Sequence, residues 1–280
     1  MKVLVAITEP ERESALVETA AALACDGEVV LASVIEVTGE NTLASAQPEA
    51  RGRRRALDAL GADLRPGRQV RSLVTVARVG WDAIREARDL AKKTDAENAP
   101  SPSVMIAWCV VRAMEKHAPF RRLILEDDQI VQNDDFDLGV AVALEDDRLA
   151  TAVITDANRK SWPEFMKSYE QIVAATRSGR VDAMNAPVVI TSLGAFGVKA
   201  GAPIVVPPSM GTLFIGTAHR ELIPNKNKNE SAEVITLSLT FDHRVVNGAG
   251  AAAFANEIKK QIEGFTIPSQ EKLGAAARKR

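Results

Sequence analysis

The stretch TFDHRVVNG, residues 240–248, decides how this chain is read. It closes an alternating run, EVITLSLTF (233–241), in which Ile235, Leu237, Leu239 and Phe241 share one face and Thr236, Ser238 and Thr240 the other. That is the period-two pattern of a β-strand. GAAAFANEIKKQIE (250–263) follows and reads as a helix. Only three histidines occur in the 280 residues, and one of them, His243, stands between Asp242 and Arg244 immediately after the strand, with Asn247 four positions on. Flanked by two charges, this imidazole is not destined for a purely apolar pocket. By chemistry alone a lone histidine is more often packed or solvated than catalytic. His117, at a helix end, and His219, in GTAHRE, take that reading. None of the three has a partner at metal-ligand spacing and no H-E-x-x-H is present, so no metal site is expected.

Working outward, the composition is that of a soluble globular protein, with 46% hydrophobic and 26% charged residues. A formal net charge of -2 gives no reason to expect nucleic acid or a membrane surface as partner. The NKNKN stretch at 225–229 and the terminal ARKR read as a solvated loop and tail. Cys25 and Cys109 lie far apart in apolar surroundings and read as small core residues in a reducing compartment. The N-terminus turns polar after one short apolar run, and no stretch approaches a membrane span, so a cytoplasmic location is expected.

Strand and helix alternate from the start. KVLVAI (2–7) and GEVVLASVIEV (27–37) read as strands around a helix at 10–24, and RPGRQ (65–69) is a candidate boundary. RSLVTVARV (71–79) reads as a strand, GWDAIREARDLAKK (80–93) as a helix and VMIAWCVVRAMEKH (104–117) as a strongly apolar helix suited to a core. Strands are predicted at 134–144, 150–157, 186–197, 211–218 and 233–241. Ser161 and Glu164 have the capping-box spacing, with Pro163 in the first turn of the helix they open. The acidic clusters at 126–128 and 134–137 lack a calcium-loop pattern and read as solvated turns. Gly194 and Gly197 read as turn residues.

LSLTFDHRVVNGAGAAAF resembles the closing motif, D-H-R-x-x-[DN]-G, of the dihydrolipoyl acyltransferase component of 2-oxo acid dehydrogenase complexes, a family related in fold to chloramphenicol acetyltransferase. WDAIREARDL, FDLGVAVALEDDRLATAVITDANRKSWPEF and VVITSLGAFGVKAGAPIVVPPSMGTLFIG resemble further family segments in unbroken order, so the likeness covers roughly residues 70–280. It implies an α/β fold, a chloramphenicol acetyltransferase-like two-layer mixed sheet with helices, for an acyltransferase domain at 69–280. Residues 1–66 are similar in their strand–helix–strand opening to the universal stress protein family, although Thr8 and Glu9 stand where that family often has aspartate and no glycine-rich phosphate loop is present. A small partial α/β segment at 1–68, used for packing or assembly, is therefore expected.

The resemblance implies acyl transfer between CoA, as a substrate, and a dihydrolipoyl-type thiol. In the family the motif histidine is the base, which maps onto His243. A hydroxyl on the strand before LG meets the oxyanion, which maps onto Thr191 or its neighbour Ser192. Asn247 holds the position that is aspartate in many members, and orients the active-site groups. A thiol titrating near ~8.5 needs such a base at neutral pH. Cofactor-contacting residues are not identified. The sequence shows no lipoyl-type DKA lysine hairpin and no long Ala-Pro linker, so a lipoyl group would come from a separate lipoyl-bearing protein. Family cores are trimers, sometimes built into larger particles, with sites shared between subunits; the implied partner is thus a second copy in a homotrimer or larger assembly. Two other readings stay open at this level: a non-catalytic trimeric assembly or regulatory protein on the same core, and a CoA-dependent enzyme acylating a small hydroxyl or amine.

Overall fold

The computed structural model describes residues 2–7, 28–37, 72–125, 129–145, 148–180, 185–225 and 228–268. In chain order the strands and helices are β1 (Lys2–Ile7), β2 (Glu28–Val37), β3 (Ser72–Gly80), α1 (Asp82–Thr94), α2 (Pro102–Lys116), β4 (Arg122–Ile124), β5 (Ile130–Gln132), β6 (Leu138–Ala143), β7 (Leu149–Ile154), α3 (Trp162–Arg177), β8 (Val188–Ser192), β9 (Gly211–Ile215), β10 (His219–Asn225), β11 (Lys228–Asp242) and α4 (Gly248–Glu263). The helix read at 10–24 and Cys25 lie outside the described residues.

Among the described residues one mixed sheet runs β1-β2-β3-β11-β9-β8-β6-β7, with β10 pairing on β11, and β4 and β5 form a small separate ribbon. β11 is the spine. It runs antiparallel to β3, with Leu237 opposite Ala77 and Phe241 opposite Leu73, and antiparallel to β9, with Leu237 opposite Ile215 and Phe241 opposite Gly211. β8 lies parallel to β9, Thr191 opposite Phe214. β2 pairs in parallel with β3, Val34 opposite Val74, so strands from both sides of residue 69 share the sheet.

Helices α2, α3 and α4 cover one face. The odd-numbered residues Ile235, Leu237, Leu239 and Phe241 of β11 join Ala77, Val79, Leu213, Ile215, Val188 and Ile190 against Phe254, Ile258 and Ile262 of α4 and the buried run of α2. The apolar character of VMIAWCVV is explained by this central seat, where ten residues of α2 from Val104 to Met114 are buried. Phe254 stacks on Phe120 with ring centroids 3.8 Å apart, and Trp108 meets Trp162 and Phe165 edge-on. Burying such rings contributes about 1.5–3 kcal/mol each. Burial drives the Cys109 thiol far above its ordinary range, which leaves it an inert core residue. Glu164 accepts from the Ser161 backbone N–H at 2.8 Å, so the first turn of α3 is closed as its spacing foretold.

The strand ends differ from the sequence reading. β6 starts at Leu138 rather than 134, because Asp134–Asp137 are taken up in bonds to the 156–159 turn: Asn158 Nδ2 donates to the Asp134 carbonyl at 3.2 Å, and Asp137 accepts from the Asp156 N–H at 2.9 Å. β8 stops at Ser192, and a single 3-10 turn over Gly194–Phe196 ends at Gly197 with φ 75°, a left-handed conformation suited to glycine. Of the NKNKN stretch, read as a loop, Asn225 ends β10 and Lys228 and Asn229 begin β11, with Asn225 paired to Lys228. Alternation alone marked only the half of β11 that is buried.

The second face of the sheet carries Thr212, Phe214, Thr236, Ser238 and Thr240, all buried. The segment after Gly197 crosses it: Thr217 N–H donates to the Val198 carbonyl at 2.8 Å and Thr212 Oγ1 to the Ile204 carbonyl at 3.0 Å. This crossing is so close that a methyl group on Gly216 would lie 2.1 Å from the Lys199 carbonyl oxygen. Backbone against backbone cannot yield cheaply. Gly216→Ala is therefore expected to lower stability by ~1–3 kcal/mol, read as a lower denaturant midpoint at unchanged slope; an unchanged midpoint would show that the crossing is looser than described.

Candidate active site

His243 sits at the first position past β11, in the turn that leads to α4. It is half-buried, its ring 5.9 Å from that of the fully buried Phe241 and tilted 34° to it. Asp242, 6% exposed, binds Arg244 through both carboxylate oxygens: Oδ2 accepts from Nη2 at 2.7 Å and Oδ1 from Nε at 3.0 Å. Asn247 is the N-cap of α4. Its Oδ1 accepts from the Gly250 N–H at 2.8 Å, satisfying one of the donors a helix start leaves open.

Thr191 and Ser192 end β8. Successive strand residues point to opposite faces, so the two hydroxyls cannot serve the same space. Thr191 is half-buried and shares a face with Phe214 and Ser238 through the β8–β9–β11 register. Ser192 is exposed, and its hydroxyl accepts from the Gly194 N–H at 3.5 Å in the turn that follows. On the face that Thr191 uses, the buried Ser238 and Thr240 hydroxyls find no hydrogen-bond partner among the described residues.

The structure does not bring His243 and Thr191 together within one chain. Thr191 lies level with Ser238 on β11, whereas His243 follows Asp242, four strand steps further on. At ~3.3 Å per residue the two are separated by at least about 13 Å along the strand direction. His243 lies in the turn past the strand with its ring beside that of Phe241, a residue of the helix-covered face, whereas Thr191 lies on the other face. His243 and Asn247 do belong to one turn; Thr191 and Ser192 belong to the other end of the sheet.

The remaining histidines are held locally. His219 offers Nδ1 to the Thr217 carbonyl at 3.0 Å and Nε2 to Glu221 at 2.9 Å. His117 closes α2 with its ring edge-on to Phe254, and burial lowers its pKa against the opposing pull of Glu257. Among the described residues no group of three or more His, Cys, Asp or Glu side chains could hold a metal ion, and no helix is long and apolar enough to cross a membrane. Sequence reasoning missed two features near the site. The exposed apolar residues Leu193, Phe196, Ile204 and Val206 cluster in the segment after β8, and Phe196 is 72% exposed. The Asx-type bond from Asp242 to the Arg244 N–H, 2.9 Å, was also unseen, although Asp two positions before a backbone donor is its usual signal.

The dihydrolipoyllysine-residue acetyltransferase component of the acetoin cleaving system of Bacillus subtilis is 34% identical over 161 residues, 56% of this chain and 40% of that protein. The corresponding component of the Zymomonas mobilis pyruvate dehydrogenase complex is 30% identical over 151 residues, 53% of this chain and 34% of that protein. The chain thus spans well under half the length of these relatives. In three dimensions it superposes on the dihydrolipoamide acetyltransferase of Azotobacter vinelandii with a TM-score of 0.62 at 22% identity, covering 69% of this chain and 82% of that one. This likeness gives the expected two-layer α/β fold. The likeness of residues 1–66 to universal stress proteins finds no support in these relatives, all of which are acyltransferase components. Residues 64–267 match the family model of the 2-oxoacid dehydrogenases acyltransferase catalytic domain, and the chain belongs to that family.

Proposed function

We propose that the chain is an acyltransferase that moves an acyl group between CoA and a dihydrolipoyl-type thiol, residues 69–280 forming its catalytic domain. The observation that carries this reading is the family match across residues 64–267, which includes the whole DHRVVNG turn and the β8 hydroxyls. His243 acts as general base. As the attacking sulfur forms a bond to the thioester carbonyl carbon, the neutral imidazole takes the thiol proton, help typically worth ~10²–10⁴ in rate. The tetrahedral intermediate carries its charge on the former carbonyl oxygen and is met by the Thr191 hydroxyl. Collapse breaks the bond to the other sulfur, which receives the proton back from the imidazolium. Thr191 is preferred to Ser192 because Thr191 is half-buried, whereas the Ser192 hydroxyl is exposed, where water competes for its proton.

The separation of His243 and Thr191 supports a site completed by a second copy, with the imidazole from one subunit and the hydroxyl from another, in a homotrimer or larger assembly. The exposed Leu193, Phe196, Ile204 and Val206 support the same view, as an apolar surface beside Thr191 suited to burial between copies. The Bacillus subtilis and Zymomonas mobilis relatives are components of larger systems, which suggests that this chain too works beside further components. In the Azotobacter vinelandii enzyme the catalytic roles of a serine, a histidine and an asparagine four positions beyond that histidine were investigated; His243 and Asn247 have the same spacing.

Acetyl or succinyl transfer from the acyl-CoA to dihydrolipoamide should be measurable for the wild type, and His243→Ala should lose ~10²-fold or more of it; equal rates would remove His243 from the mechanism. Co-refolding His243→Ala with Thr191→Val subunits in equal amounts should recover about a quarter of the wild-type activity if sites are shared between copies, and none if each chain holds a complete site. Asn247→Ala should cost ~1 kcal/mol of stability through the lost cap and reduce kcat as well, whereas Asn247→Asp, which keeps the cap, should retain both; a kcat untouched in the alanine variant would confine Asn247 to capping.

A further inference from the structure

We propose that Asp242 and Arg244 are positioning residues, a clamp that fixes the backbone of His243 and hence the place of its imidazole. The proposal rests on the reading of His243 as base. Both sides of His243 are tied. On the strand side, the Asp242 N–H donates to the Met210 carbonyl at 2.8 Å, and the Met210 N–H donates in turn to the Pro187 carbonyl at 2.9 Å, so the turn is anchored to the starts of β9 and β8. On the helix side, the Asp242 carbonyl accepts from the N–H groups of Val245 at 3.1 Å and Val246 at 3.2 Å. The Asp242 carboxylate then reaches over His243. Its Oδ1 takes the Arg244 N–H at 2.9 Å and Nε at 3.0 Å, and its Oδ2 takes Nε at 3.1 Å and Nη2 at 2.7 Å. His243 is therefore the middle residue of a three-residue ring closed by the Asp242 carboxylate, inside a wider turn closed by main-chain bonds.

Stability alone does not account for this arrangement. The Asp242 carboxylate is buried, but Arg244 is exposed, and an ion pair open to water on one side adds little to stability. A turn between a strand and a capped helix could be closed by main-chain bonds, which are present here in addition. What the pair adds is direction. The guanidinium is planar and meets both carboxylate oxygens, so it sets the orientation of the peptide units on either side of His243. From that fixed backbone the ring rests beside Phe241, whose own side chain is fully buried. A catalytic group displaced by about 1 Å can forfeit 10²-fold in rate, and two extra hydrogen-bonded anchors on its own peptide are a direct way to prevent that displacement.

The test uses the full chain with Asp242→Asn, which keeps the shape but sets an amide donor against the guanidinium, and the milder Arg244→Lys, which keeps the charge but loses the fork. Both are expected to lower kcat by ~10-fold or more while KM for acetyl-CoA and for dihydrolipoamide changes by less than ~3-fold. Ring resonances of histidine labelled at Cε1 give a readout independent of activity. The His243 signal, assigned by its loss in His243→Ala, is expected to move towards that of an unstructured histidine in both variants while those of His117 and His219 stay in place. An unmoved His243 signal with unchanged kcat would overturn the clamp, as would a KM effect at constant kcat. If His243→Ala kept the wild-type rate, the base would be lost from the proposed function, and the ring resonances would still decide whether the clamp holds.

Discussion

The register of β11 between β3 and β9 is the constraint on which the rest of the molecule depends. Side chains alternate with a period of two, so a slip by one residue would send Leu237, Leu239 and Phe241 to the hydroxyl face and Thr236, Ser238 and Thr240 into the helix-covered core. Neither side could accept that exchange. Because Phe241 is pinned opposite Leu73 and Gly211, the chain must leave the sheet at Asp242, and His243 must emerge at that end and on that side. Asn247 then starts α4, whose Phe254, Ile258 and Ile262 return to pack on the same strand. The motif and the core are thus one object: the apolar half of β11 sets where the polar residues after it stand.

The same register separates the hydroxyl-bearing end of β8 from the histidine turn. Two residues on opposite ends and opposite faces of a rigid sheet cannot be united by side-chain rotation, and closing such a gap by bending would break the pairing of β8, β9 and β11. The proposed docking of a second copy would need no such bending, and the segment after Thr191 exposes Leu193, Phe196, Ile204 and Val206 to water.

Much of the catalytic domain was legible because its elements are locally consistent. The capping spacing of Ser161 and Glu164, the apolar run of α2 and the alternation before His243 each name an element that exists for the reason the residues suggest. The misread parts share a different cause. Asp134–Asp137 looked like the start of a strand, yet these residues bond to Asp156 and Asn158, a contact nineteen or more positions away that no local pattern records. The hairpin of β10 on β11 was hidden because residues 228–231 are polar at every position and β10 sets Leu222, Ile223 and Pro224 side by side, so neither strand alternates there. Thr236, Ser238 and Thr240 looked like an open face, but the crossing segment from Val198 to Ile204 lies along the neighbouring β9 side of it.

What the residues determined alone was the chemistry on offer: one histidine set between an acid and a base, an asparagine one helical turn beyond it, adjacent hydroxyls before a glycine turn, and the period of each strand and helix that carries them. Those follow from spacing, which is a property of neighbours along the chain. Which hydroxyl shares a face with what, that Asn247 Oδ1 is spent on the Gly250 N–H, that Asp242 grips Arg244 over His243, and that the histidine and Thr191 cannot meet within one chain were decided only in three dimensions. Strand order and register set those distances, and both arise from packing between segments far apart in sequence, where periodicity carries no information.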